Sequence, residues 1–231
     1  MTKMTLNERF STLKGALWDL DNTLYAETSA LHEAFDHAIA AAVLAQGVPM
    51  SLPEAKAAAK KSFIEHGYGA RVFIDHMGVD AQKLHYNLHP LVDEKIITPH
   101  DTLPDDLQAL SLSHAIVTHG ARDWALRVLH HLKLMPLFTQ ERIHALEDFD
   151  FHKKAVSALP FERALASLNL NPQDVIIVED QERNLRIPHR MGMGTILLDY
   201  GARAGKPAAD FVDLVCHDVH DLIRRYSQMK S

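Results

Sequence analysis

Ala16-Leu17-Trp18-Asp19-Leu20-Asp21-Asn22-Thr23-Leu24-Tyr25 is a short apolar run that stops at two aspartates one residue apart, followed by threonine. A continuous apolar run without alternation is the pattern of a strand buried on both faces, and such strands belong to parallel sheets. Carboxylates at the exit of a parallel strand stand where open α/β sheets bind ligands, outside the carboxyl ends of the strands. Two acids so placed can hold a divalent cation and can separate a nucleophile's role from a proton donor's.

Similar short apolar segments lie at Ala115–Val117, Val175–Val178 and Thr195–Leu198, with helical patterns between them. The stretch from Asp123 to Leu134 carries Leu126, Leu129 and Leu132 at helical spacing, and Phe161–Leu168 is a helix that Asn169 and Pro172 terminate. Strands alternating with helices predict an α/β fold, a parallel sheet with helices on both faces. Between Thr28 and about Leu110 the character changes. Leu31–Gln46 and Glu54–Ile64 are Ala-rich and helical, broken at Gly47-Val48-Pro49 and Gly67-Tyr68-Gly69, with no strand pattern among them. A helical domain is therefore expected as an insert after the first strand, with the chain returning to the sheet near Ser113. Asp210–Cys216 is a further candidate strand, followed by a closing helix.

Three strand exits carry polar residues that a parallel sheet would bring to one edge. They are Asp19 and Asp21, then Thr118-His119-Gly120, then Glu179 and Asp180. Four gathered carboxylates need a cation or raised pKa values, and Mg²⁺ suits an all-oxygen donor set. A phosphate monoester fits such a site, because a metal would neutralise phosphoryl charge facing an anionic nucleophile. The Thr118 hydroxyl and nearby backbone N–H groups are candidates to hold phosphate oxygens. Lys153-Lys154 offers a balancing charge, and Asp21 is placed to protonate a leaving group.

Taken in order, these residues resemble the four motifs of the haloacid dehalogenase (HAD) superfamily. Asp19-Leu-Asp21-Asn-Thr23 looks like the first, Val117-Thr118 the second, Lys154 the third and Val178-Glu179-Asp180 the fourth. The resemblance implies a Rossmann-like core of residues 1–26 and 112–231 with an all-helical cap domain of residues 27–111. It implies that Asp19 is a nucleophile forming an aspartyl-phosphate, and that Asp21 is the general acid and then the base. Mg²⁺ would be held by the Asp19 carboxylate, the Asp21 backbone carbonyl and Asp180, with Glu179 near or in its shell. Thr118, His119, Gly120 and Lys154 would bind the phosphoryl group. Dehalogenases of the superfamily lack an acid at the Asp21 position, so its presence favours phosphoryl transfer. Glu179-Asp-Gln-Glu-Arg-Asn184-Leu185 with Pro188-His189-Arg-Met-Gly192 is similar to bacterial pyrimidine 5′-nucleotidases, which makes a nucleoside monophosphate one expected substrate. A phosphotransferase or sugar-phosphate mutase and a non-catalytic phosphometabolite-binding protein are the alternatives. Two positions depart from the pattern. His119 stands where those relatives carry Asn, and Ala155 follows the lysine where they carry Pro.

The whole chain agrees with a globular enzyme acting on a small phosphorylated metabolite. Its 231 residues are 47% hydrophobic and 23% charged, enough to bury a sizeable core. A formal net charge of −6 argues against a nucleic-acid polymer as partner. No window approaches a membrane span. The polar start, Met1 to Phe10, lacks an apolar signal core, and a single cysteine, Cys216, fits a reducing compartment. A cytoplasmic location is expected. His85 and His89, four apart, have the spacing of a helical metal pair, but nothing nearby in sequence completes a tetrahedral set.

Overall fold

The computed structural model describes residues 6–26, 28–66, 68–203 and 207–230. Six strands form one sheet: β1 (Gly15–Trp18), β2 (Ser113–Val117), β3 (Ile143–His144), β4 (Val175–Glu179), β5 (Gly194–Leu198) and β6 (Leu214–Cys216), every pairing parallel. All residues of β1, β4 and β5 are buried, which is why their sequences read as unbroken apolar runs. The order is β3-β2-β1-β4-β5-β6. The chain leaves β1 toward β2 and β3, then crosses back to β4 on the other side. β1 therefore lies at the point where strand order reverses, the ligand-binding position of open α/β sheets.

The division between the two compact units falls at residues 26/27 and 98/99. In the sheet unit, α1 (Leu6–Thr12) precedes β1. The helical unit spans Glu27–Thr98 and holds α2 (Ser29–Leu44), α3 (Leu52–His66), α4 (Arg71–Met77) and α5 (Ala81–Leu88). Thr28 caps α2 by accepting from Leu31 N at 3.2 Å. Small residues let these helices approach: Ala38, Ala42, Ala55 and Ala59 are buried, and a Cβ on Gly69 would lie 2.9 Å from Ile39 Cδ1 and 3.2 Å from Ala59 O. His85 and His89 are buried in this unit with rings 4.9 Å apart. His89 Nδ1 meets the His85 carbonyl at 2.8 Å, an intrahelical packing arrangement.

The remaining helices are α6 (Leu103–Ala109), α7 (Arg122–His131), α8 (Leu159–Leu168), α9 (Arg186–Met191) and α10 (Val219–Lys230). The sequence reading ends the helical insert at residue 111, whereas α6 groups with the sheet unit; β2 begins at Ser113. Leu103 and Leu107 are buried, and Asp106 lies 3.5 Å from His220 of α10. Leu17, Val117, Phe149, Phe161, Leu165, Val175 and Ile177 belong to one buried cluster between β1, β2, β4 and α8. β3 escapes sequence reading because two residues are too short to show any period.

Two core histidines set an acid limit. Trp18 Nε1 donates to His114 Nδ1 at 3.0 Å across the β1–β2 pair. His144 Nε2 lies 2.9 Å from Ser167 Oγ. Burial pushes both imidazoles down to about 4. The folded state then binds fewer protons than the unfolded chain, so the stability from the neutral rings is complete above about pH 6.5 and is lost as pH falls toward 4. His114→Gln keeps an acceptor for Trp18 and cannot ionise. Unfolding followed from pH 7 to 4 should show wild type losing on the order of 3 kcal/mol relative to this variant. Parallel curves would refute the role of His114.

Candidate active site

The site begins where β1 ends. Trp18 stands in register with Ile116 of β2 and Val178 of β4, and Asp19 N donates to Val178 O at 2.9 Å, carrying the ladder one residue further. The chain then turns. Leu24 N reaches back to Leu20 O at 3.1 Å, and Asn22 takes a left-handed φ of 59°, a conformation Asn tolerates. This turn sends the two aspartates into different surroundings.

Asp19 is 6% exposed. Its Oδ1 accepts from Lys154 Nζ at 2.6 Å. Lys154 is itself 1% exposed, also donates to Val117 O at 3.1 Å, and pairs with Glu179 Oε1. Burial works against the ammonium charge, but Asp19 and Glu179 outweigh it and hold Lys154 above its ordinary range. Lys153, beside it, is exposed. Lys154 is thus the lysine that the structure brings to the three strand exits.

Asp19, Glu179 and Asp180 each offer a carboxylate oxygen within 4.8 Å of the others, the one such acidic group among the described residues. Burial, then Glu179 and Asp19, raise Asp180 well above the usual carboxylate range. Burial likewise raises Asp19, opposed by Lys154 and assisted by Glu179. Three clustered carboxyl groups form an all-oxygen donor set that suits a hard divalent cation. The members are not equivalent. Glu179 is fully buried, with Oε1 accepting from Asn184 Nδ2 at 2.8 Å and Oε2 from Gln181 N at 2.9 Å. Its oxygens are committed to Lys154 and to the loop that carries Asp180. Asp180 Oδ2 accepts from Asn22 Nδ2 at 3.0 Å.

Asp21 lies outside this carboxylate group. Its Oδ1 accepts from Tyr25 Oη at 2.5 Å and from Trp124 Nε1 at 2.7 Å. Burial raises its pKa, and hydrogen bonds from Tyr25 and Trp124, then the Lys154 charge, oppose the shift. Thr118, buried after β2, is hydrogen-bonded to Asp21 and accepts from Gly120 N at 2.9 Å. The Gly120 N–H is therefore used within the loop. A Cβ there would sit 3.0 Å from Trp124 Cδ1 and 3.3 Å from both Asp21 Oδ2 and Thr118 Oγ1, so only glycine fits without displacement.

His119, the unusual residue of the second motif, has a definite partner: Lys154 N donates to its Nε2 at 3.0 Å. It ties the loop after β2 to the segment carrying the lysine. Arg122 reinforces that join, with Nη2 2.6 Å from Asp148 Oδ2 and its backbone N donating to Glu147 Oε1 at 2.8 Å. Sequence reading missed Tyr25, Trp124 and Asn22 as site residues. Tyr25 follows Asp21 by four positions, which a turn makes a contact distance. Trp124 carries no local signal, because it reaches Asp21 across 103 residues.

A family model described as haloacid dehalogenase-like hydrolase matches residues 13–192. No curated protein matches the sequence significantly. Solved structures with similar folds include HAD-hydrolase YfnB from Bacillus subtilis bound to magnesium, 17% identical, covering 93% of this chain and 98% of its own, with a TM-score of 0.60. A HAD phosphatase from Thermococcus onnurineus is 17% identical over 92% of this chain and 97% of its own, with a TM-score of 0.59. The L-2-haloacid dehalogenase from Xanthobacter autotrophicus with chloropropionic acid covalently bound is 16% identical over 94% and 99%, with a TM-score of 0.57. Among the described residues, no helix is long and apolar enough to cross a membrane.

Proposed function

The chain belongs to the haloacid dehalogenase-like hydrolases, and from that membership we propose that it is a Mg²⁺-dependent phosphatase acting on a small phosphate monoester, a nucleoside 5′-monophosphate being one candidate. The observation that carries the reading is the different surroundings of two carboxylates at one strand exit. Asp19 faces an ammonium and two further acids, whereas Asp21 is held by neutral donors. Such a separation assigns nucleophile and acid to different groups. A dehalogenase has no use for the second.

In this proposal Asp19 attacks phosphorus, forming an aspartyl-phosphate as the bond to the leaving oxygen breaks. Asp21 gives its proton to that oxygen. Asp21 then takes a proton from water, whose oxygen attacks phosphorus and releases inorganic phosphate, restoring Asp19. Lys154 keeps Asp19 oriented and balances charge near the phosphoryl group. Thr118, with the loop through His119 and Gly120, borders the phosphoryl position. Asp19, Asp180 and the Asp21 carbonyl would hold Mg²⁺, with Glu179 behind them, and the bound ion supplies charge neutralisation for the phosphoryl group. The helical unit is proposed as the cap that selects the leaving group.

The test is phosphate release across a panel containing UMP, CMP, sugar phosphates, phosphoglycolate and p-nitrophenyl phosphate, with Mg²⁺ and with EDTA. Release in Mg²⁺ alone supports the reading. Release that needs a sugar-phosphate acceptor would make it a phosphotransferase, and binding without release from any ester would make it a binding protein. Mg²⁺ should also raise the unfolding midpoint of the wild type by several degrees, and Asp180→Asn should lose most of that rise. An equal rise in both would remove Asp180 from the metal site.

A further inference from the structure

We propose that Tyr25 and Trp124 are positioning residues for Asp21: by donating to the same carboxylate oxygen, they leave the other oxygen as the one that exchanges a proton with the substrate. The inference rests on the role given to Asp21 in the proposed function and adds two residues to it.

Both donors converge on Oδ1, at 2.5 Å from Tyr25 Oη and 2.7 Å from Trp124 Nε1. An oxygen already accepting two such bonds is a poor site for a proton of its own. A carboxyl without them could rotate and interchange its oxygens. Oδ2 is on the side of Gly120, 3.3 Å from where a Cβ on that residue would sit, and so borders the loop that begins at Thr118. The donors are themselves held. Trp124 is fully buried in the first turn of α7, with the Arg127 guanidinium 5.1 Å from its ring centroid. Tyr25 is 5% exposed and lies in the turn after β1. Because one donor follows β1 and the other opens α7 after β2, the pair sets Asp21 relative to both the proposed nucleophile and the loop after β2.

The consequence is dependence on the leaving group. Expulsion of p-nitrophenolate needs little protonation, while expulsion of an alkoxide needs a well-aimed acid. The value of kcat/KM covers steps through departure of that group, so it isolates the acid's task from the later attack of water. In Tyr25→Phe and in Trp124→Phe, kcat/KM for an alkyl phosphate such as glycerol 2-phosphate should fall about 10- to 100-fold. For p-nitrophenyl phosphate it should change less than about threefold. Because Asp21 also serves as base in the second step, kcat on the aryl ester should drop, and a burst of p-nitrophenol should appear as phosphoenzyme accumulates.

Equal losses of kcat/KM on both esters, or no loss on either, would overturn the positioning role. Tyr25→Phe removes a single oxygen and decides the matter even if Trp124→Phe does not fold. Failure of the underlying reading looks different: the wild type would release phosphate from neither ester, or Asp19→Asn would retain turnover.

Discussion

Asp19→Asn is expected to lower kcat on every phosphate ester by about 10,000-fold or more while melting no lower than the wild type. Asn keeps the size of the side chain and a carbonyl oxygen for Lys154, which retains Glu179 as its counter-ion. What disappears is the proposed nucleophile; Asp180 belongs to the exit of β4, and Asp21 is held through Oδ1 by Tyr25 and Trp124. The stability expectation follows from charge. Burial raises the Asp19 pKa despite Lys154, so its ionised form is disfavoured in the metal-free fold. A raised carboxylate makes stability fall as pH climbs through that raised value, and an uncharged residue does not. The Asn variant should therefore gain on the wild type in EDTA as pH rises from 5 to 8. Measuring kcat alongside thermal unfolding at both pH values checks both halves. Turnover within tenfold of wild type would remove Asp19 as nucleophile, and a lower midpoint at pH 8 would show that Asp19 stabilises the fold.

Lys154→Met should damage stability and activity together. The ammonium is 1% exposed and is the counter-ion of both Asp19, 2.6 Å away, and the fully buried Glu179. Removing it leaves three clustered carboxylates without that cation, and breaking a buried ion pair from one side costs about 3–5 kcal/mol. Loss of a preorganised charge at the proposed phosphoryl position should lower kcat about 1,000-fold. Adding Glu179→Gln to Lys154→Met removes one of the stranded charges, so urea unfolding should show part of the stability restored with no return of activity. If Lys154→Met unfolds within about 1 kcal/mol of wild type, the lysine is not what balances this cluster. Lys153→Met, exposed and adjacent, is the control and should leave both quantities near wild type.

The adjacent lysines illustrate where sequence reading stops. Both have the same chemistry, and choosing Lys154 rested on resemblance to a motif. The choice becomes physical only when the segment after Phe149 is seen, where Asp150 and Phe151 both take left-handed φ values of 55° and 60°. The His119 ring then holds the Lys154 N–H. His119 looked like a departure from a family pattern, but its bond to a residue 35 positions away explains what the imidazole does there. Asn184, part of the fourth-motif stretch, is buried. Its bond to the buried Glu179 shows it positions the loop after β4.

The buried strands β1, β2, β4 and β5, the helical insert without strands and the polar residues at three strand exits were all written in the sequence. Each depends on local composition and period: a strand buried on both faces must be apolar throughout, and its exit is where polar residues resume. The tertiary structure alone decided which polar groups act on which. Parallel pairing brings residues far apart in the chain to one sheet edge, so the Lys154 contacts to Asp19 and Glu179 and the Trp124 bond to Asp21 have no local signature. The distinction between Asp19 and Asp21 has the same origin. Two chemically identical side chains one residue apart differ because a turn hands one to an ammonium and the other to an indole and a phenol.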